Sequence, residues 1–139
     1  MAMDDALIAV LDAKYHHHFW RPVTAIRNAE AELGDVRWLP LVTTPMHPEY
    51  PCAHCIVSSS LAALLKAEIG PGPSPTLRSA SPAAGGAVQT WKSPDEFARE
   101  VAPARIYGGV HHRFSTEVGS DMGRSIGELA ARRIPRTPR

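Results

Sequence analysis

The chain has almost no excess charge: fifteen Lys and Arg against fourteen Asp and Glu leave a formal +1. No global field draws it to nucleic acid or to an anionic lipid surface, so any anion site must be built locally. Long apolar runs are also missing. None approaches the roughly 20 residues needed to cross a bilayer, and no membrane partner is expected. The N-terminus MAMDDALIAV carries acids where a secretion signal carries positive charge. A cytoplasmic location is therefore expected, with export left open for a chain whose N-terminus has been shortened. Cysteine is scarce. Cys52 and Cys55 alone are too few for a disulfide framework, and a reducing compartment is the default. Convincing strand patterns and internal repeats are absent as well.

What is there suits one domain over residues 1–139: 44% of residues are hydrophobic and 21% charged, an ordinary globular balance. Asp4 and Asp5 precede Leu7, Val10, Leu11 and Lys14 at helical spacing, which predicts a helix over about 4 to 20. Pro22 suits the first turn of a second helix running to Gly34, with a kink at Arg21. Four prolines between Asp35 and Pro51 predict a structured loop. His54 to Ile69 reads as a third helix that stops at Gly70-Pro71. Residues 70–92 are a long Pro/Gly-rich segment expected to be flexible, and 134–139 a frayed tail. Ser93-Pro94-Asp95-Glu96 is a capping box that opens a helix to about Ala102, which Pro103 bends or restarts. Ser115 is placed to cap a last helix with Val118, Met122, Ile126 and Leu129 as its apolar stripe. Gly119, Gly123 and Gly127 repeat beside that stripe, and close approach by a neighbouring helix would offset their cost. The fold class that follows is all-α, a helical bundle of about five helices.

Three loci carry candidate chemistry. Lys14 and Arg21 lie seven residues apart and would project from nearly one face if the helix persisted between them. Pro51-Cys52-Ala53-His54 opens the third helix, where free N–H groups favour an anion. Ala104 to His112, ARIYGGVHH, offers Arg105 and two histidines about a glycine turn. Brought together they would supply three permanent cations and two imidazoles, an inventory suited to a tetrahedral oxyanion. Each locus also has a plainer reading. Of the three histidines in KYHHHFWRP at most one would face the core. Cys52-Ala-His-Cys55 also fits a redox pair or half a zinc site. Taken singly, Lys14, Arg21 and Arg105 are ordinary surface cations.

The joint pattern resembles the superfamily of vanadium haloperoxidases and type 2 phosphatidic acid phosphatases. That superfamily is known by Lys, six residues, Arg-Pro; then Pro-Ser-Gly-His; then Ser-Arg, five residues, His, three residues, Asp. Here stand Lys14 with Arg21-Pro22, Pro51-Cys52-Ala53-His54, and Ala104-Arg105 with His111, in that order. The flanks WRPVTAIR and PMHPEYP are similar to the soluble bacterial haloperoxidase-like branch, and the resemblance spans about residues 5 to 133. It implies a helical bundle. It also implies that Lys14, Arg21 and Arg105, with Cys52 and Ala53 beside them, neutralise vanadate or phosphate. His111 would bond vanadium or act as a phosphatase nucleophile, and His54 would be the general acid/base. His47 would stand at the halide or rim position, where the histidine resembles the bromoperoxidases.

The chain departs from the pattern mildly at Ala53, in place of glycine, and more consequentially at two other positions. Cys52 replaces a serine, and Ser115 replaces the aspartate expected to orient the histidine, a task for which Glu117 is the candidate. The leading expectation is a haloperoxidase with vanadate as cofactor, oxidising bromide with hydrogen peroxide, with either an incomplete pocket or a homodimer that completes it. Its rivals are a soluble phosphate-ester hydrolase using His111 as nucleophile, and a catalytically silent oxyanion-binding module.

Overall fold

The computed structural model describes residues 1–30 and 32–133, so the tail expected at 134–139 lies outside the described residues. Among the described residues the fold has five α-helices, one 3-10 turn at Pro82–Ala84 and one small two-stranded sheet.

Helix α1 spans Ala2–His17, with Asp4 and Asp5 in its first turn, where carboxylates oppose the positive end of the helix dipole. Its buried stripe is Ala2, Ala6, Val10 and Lys14, one residue every fourth position. This differs from the expected apolar face, because Leu7 and Leu11 are nearly half exposed. Small residues let the helix lie close to the core. Lys14 is fully buried because it continues that stripe. The helix stops earlier than expected: His18 turns left-handed, at φ 48° and ψ 35°, and its N–H closes onto Lys14 O. His16, His17 and His18 are all exposed.

The expected kink at Arg21 is a break. Arg21 is extended, and Pro22 opens the short helix α2, Pro22–Arg27, which ends well before Gly34. The proline-rich stretch that follows is irregular, as expected, and its Tyr50–Pro51 peptide is cis.

Helix α3 runs Ala53–Ile69, capped by the Cys52 sulfur accepting from Cys55 N–H. Cys52 and Cys55 form a disulfide across this cap, a single bond where the sequence offered no disulfide framework. The segment after Gly70 departs from the sequence reading too. Strands β1, Leu77–Ala80, and β2, Val88–Trp91, pair antiparallel with Leu77 opposite Trp91 and Ala80 opposite Val88. A short ladder of backbone bonds supplies the order that the Ser, Ala and Gly side chains cannot. Trp91 Nε1 then moors the hairpin to Glu100 at 2.6 Å.

Helix α4, Pro94–Tyr107, begins at the expected cap, Ser93 Oγ accepting from Glu96 N–H at 3.1 Å. Pro103 sits inside it without ending it. Helix α5, Arg113–Arg133, starts before Ser115, so Ser115 is a buried first-turn residue and not its cap. The glycine repeat is explained by α3. A Cβ at Gly119, Gly123 or Gly127 would press on the backbone carbonyl of Cys52, Ile56 or Ser60 respectively, the same four-residue period on both helices. Ala6, Val10 and Ile56 form the fully buried centre, with Met122 and Ile126 of α5 packed on it. Burying Ile56 alone is worth roughly 1.5–3 kcal/mol. This packing sets the start of α5, and with it His111, against the start of α3.

Candidate functional site

Lys14 and Arg21 reach one place although no continuous helix joins them. Both hold the loop that precedes α3. Lys14 Nζ donates to Pro48 O at 2.9 Å and to Glu49 O at 2.8 Å. Arg21 donates to His47 O through Nε and Nη2, and to Val110 O through Nη1 at 2.8 Å. Buried backbone carbonyls require donors, and these two side chains supply them. Burial, followed by the Arg21 charge, lowers the Lys14 pKa to about 7. Lys14 is thus not the permanent cation the sequence suggested.

His111 lies at the junction before α5, buried with its side chain 1% exposed. Its Nδ1 is 2.6 Å from Glu49 Oε1, and its Nε2 is 3.2 Å from Arg21 Nη1. A guanidinium only donates and a carboxylate only accepts. The proton therefore sits on Nδ1, and Nε2 presents a lone pair. Burial opposes charge on both partners. For Glu49, the bonds from His111 and from the His112 N–H outweigh burial and lower its pKa, so the carboxylate is ionised. For His111, burial wins over the Glu49 carboxylate and lowers the pKa, leaving a neutral imidazole.

Arg105 projects from the last turn of α4, half-buried, and its Nε has no acceptor among the described residues. His54, in the first turn of α3, opens to solvent, yet partial enclosure and then the Arg105 charge lower its pKa. His47 is half-buried, with Nδ1 3.1 Å from Arg21 Nη2, and burial lowers its pKa. The charges of Lys14, Arg21 and Arg105 all act on His54. Ala53 and His54 stand in the first turn of α3, where backbone N–H groups have no intrahelical acceptor.

Hydrogen bonds thus link Lys14, Arg21, His47 and His111 with Glu49 and its loop, and the charges of Lys14, Arg21 and Arg105 reach His54. Cys52 plays a different part from the one expected. Its sulfur is bonded to Cys55 and its N–H donates to Ser115 O, so it has no donor for an oxyanion. Glu117 is exposed and lines a separate groove with Lys66, Asp95, Arg99, Asp121 and Arg124, so it does not orient His111. The carboxylate that meets His111 Nδ1 is Glu49, from 62 residues away in the chain. Its only trace in the sequence is its place in PMHPEYP.

Arg21 and a Lys14 that is protonated below about pH 7 both feel the Glu49 charge, Arg105 adds its charge beside Arg21, and two buried atoms lack partners, Arg105 Nε and Glu49 Oε2. That imbalance fits a bound oxyanion, which needs cations and one imidazole lone pair. Among the described residues no group of three or more His, Cys, Asp or Glu gathers to hold a metal cation. No helix among them is long and apolar enough to cross a membrane.

Comparison with known proteins agrees on fold. Residues 1–138 match the family described as the VCPO second helical-bundle domain. A bacterial vanadium-dependent iodoperoxidase structure is 32% identical, with TM-score 0.84, over 96% of this chain and 32% of that one. The holo form of a bacterial vanadium-dependent chloroperoxidase is 22% identical, with TM-score 0.77, over 94% of this chain and 33% of that one. Its apo form gives TM-score 0.75 at the same identity. The chain spans about a third of the length of these structures. No curated protein matches it.

Proposed function

The chain belongs to the vanadium haloperoxidase family, as its second helical-bundle domain, and from that premise we propose that it binds vanadate and serves the oxidation of a halide by hydrogen peroxide. The observation that carries this is His111, whose Nδ1 is held by Glu49 and whose Nε2 faces Arg21, with the Lys14 charge acting on the same imidazole and the Arg105 charge acting on Arg21. Bound vanadate would supply Lewis-acid activation of peroxide.

The chain's own residues divide the remaining work. His111 offers Nε2 to vanadium. Lys14, Arg21 and Arg105 neutralise the oxyanion oxygens, and the Ala53 and His54 N–H groups at the start of α3 add donors. His54, held neutral at the open mouth, takes a proton from incoming peroxide at its imidazole. His47 stands beside Arg21 at the rim and favours bromide by the resemblance. The relative at 32% identity is named for iodide oxidation, and iodide is the more easily oxidised halide.

The same neutral Nε2 would be a nucleophile toward a phosphate ester, which makes a phosphatase the second reading. One experiment separates the readings: bromide and iodide oxidation with peroxide, with and without added vanadate, beside hydrolysis of an aryl phosphate. Vanadate-dependent oxidation supports the proposal. Hydrolysis that vanadate inhibits, with no oxidation, supports the phosphatase. Oxyanion binding with neither activity leaves a silent binding module.

A further inference from the structure

We propose that Glu49 is the positioning residue of His111, its carboxylate arriving from the loop before α3 to do what the superfamily pattern assigns to an aspartate four residues after the histidine. The inference rests on the function proposed above. The position four residues on is Ser115, buried, with Oγ 3.4 Å from His111 Nδ1. A serine there is too short and carries no charge. Glu49 comes closer, at 2.6 Å, and the same oxygen accepts the His112 N–H at 2.9 Å, so both the ring and the backbone around it are fixed by one carboxylate atom.

The consequence is a choice of tautomer. With Nδ1–H committed to Glu49, the only nitrogen left to face the oxyanion is the unprotonated Nε2. Without that acceptor, nothing else at Nδ1 demands a proton. Ser115 Oγ can donate to it as readily as accept. The imidazole could then carry its proton on Nε2 once Arg21 Nη1, 3.2 Å from that nitrogen, turns to its other acceptors, and there the proton would block bonding to the central atom of an oxyanion.

The side chain can be tested apart from the loop it belongs to. The Glu49 backbone has its own anchors, its N–H donating to Phe19 O at 2.8 Å and its carbonyl accepting from Lys14. A substitution therefore removes the carboxylate and leaves these in place.

The test combines histidine side-chain ¹⁵N NMR with vanadate titration on the parent, Glu49→Ala, Glu49→Gln and the double variant Glu49→Ala with Ser115→Asp. The parent should show His111 protonated on Nδ1 only. Glu49→Ala should show a shift of the proton toward Nε2 and a fall in vanadate affinity of about 10- to 100-fold. The double variant, with a carboxylate returned to helix α5, should restore the Nδ1 tautomer and most of the affinity. A merely structural counter-ion would lose affinity without changing tautomer. An unchanged tautomer in folded Glu49→Ala, or no recovery in a folded double variant, overturns the proposal. Should both Ala variants fail to fold, Glu49→Gln keeps the shape and loses the charge, so vanadate affinity should still fall; an unchanged affinity with an unchanged tautomer overturns the proposal equally. A parent that binds no vanadate would refute the vanadate reading while leaving the tautomer measurement to decide on Glu49.

Discussion

Arg21 Nη1 lies 3.2 Å from His111 Nε2, so the guanidinium occupies the lone pair that an oxyanion's central atom must reach. Arg21 clamps the loop, and under the proposed function it must also serve an anion, which requires it to exchange one acceptor for another. Arg21→Lys should fail at both tasks, since an ammonium cannot span His47 O, Pro48 O and Val110 O as the planar fork does. Leaving buried carbonyls unsatisfied costs about 1–3 kcal/mol each. Denaturant unfolding of Arg21→Lys should show a loss of that order, and sulfate titration a weaker anion site; a stability equal to the parent would contradict the clamp.

The buried ammonium of Lys14 makes anion affinity depend on pH. Sulfate does not titrate near neutrality and reports the site alone. Its affinity should fall as pH rises above about 7, where free Lys14 loses its proton, by at most about tenfold per pH unit for one linked proton. Lys14→Gln should flatten that slope. Stability runs the other way. The folded pKa lies below the unfolded value of 10.5, so the unfolded chain binds more protons between the two, and this group makes stability rise with pH across that window. A sulfate affinity independent of pH from 6 to 9 would remove Lys14 from the cradle.

The two histidines should separate in kinetics. His111→Ala is expected to abolish vanadate binding together with vanadate-dependent oxidation. His54→Ala, at the open mouth, should slow turnover by about 10²- to 10⁴-fold while changing vanadate affinity little. Equal loss of affinity in both variants would contradict the division of roles.

Helix packing gives a prediction free of any ligand. A Cβ on Gly123 would overlap the Ile56 carbonyl, so Gly123→Ala must push α5 from α3. Overpacking of this kind costs typically about 1–3 kcal/mol. Thermal melts should register it as a loss of several degrees, whereas Ala at an exposed α5 position such as Ser125 should be near neutral.

The disulfide closes only a short loop, with a sequence separation of 3. Loop-closure entropy assigns so small a ring about 2 kcal/mol at most. Reduction, or Cys52→Ser with Cys55→Ser, should therefore lower stability modestly without unfolding the chain, because a serine at position 52 can still cap α3. Collapse on reduction would mean that the bond holds more than the cap.

Local signals in the sequence were readable where the physics is local. Ser93 and Glu96 marked the start of α4, and Gly70 the end of α3, because caps act within a few residues. The glycine period of α5 announced a close neighbour but not which one. His18 gave no warning that it would turn left-handed and end α1. The hairpin was hidden because its order comes from backbone pairing, which small polar residues do not advertise. At the site, the motif positions Lys14, Arg21, His54, Arg105 and His111 stood out as a set, whereas Glu49 could not. Any acid that the fold brings within 3 Å can supply a partner for Nδ1, and only the tertiary fold distinguishes Glu49 from Glu117.

The bonds that build the cradle join residues far apart in the chain: Lys14 to Glu49 across 35 positions, Glu49 to His111 across 62, Arg21 to His111 across 90. Closing loops of that length carries an entropic cost that must be met before the contacts form. The helices and the hairpin can form from near neighbours, so the cradle belongs to the last events of folding. Substitutions confined to it should consequently act on how fast the native chain opens and hardly at all on how fast it first assembles.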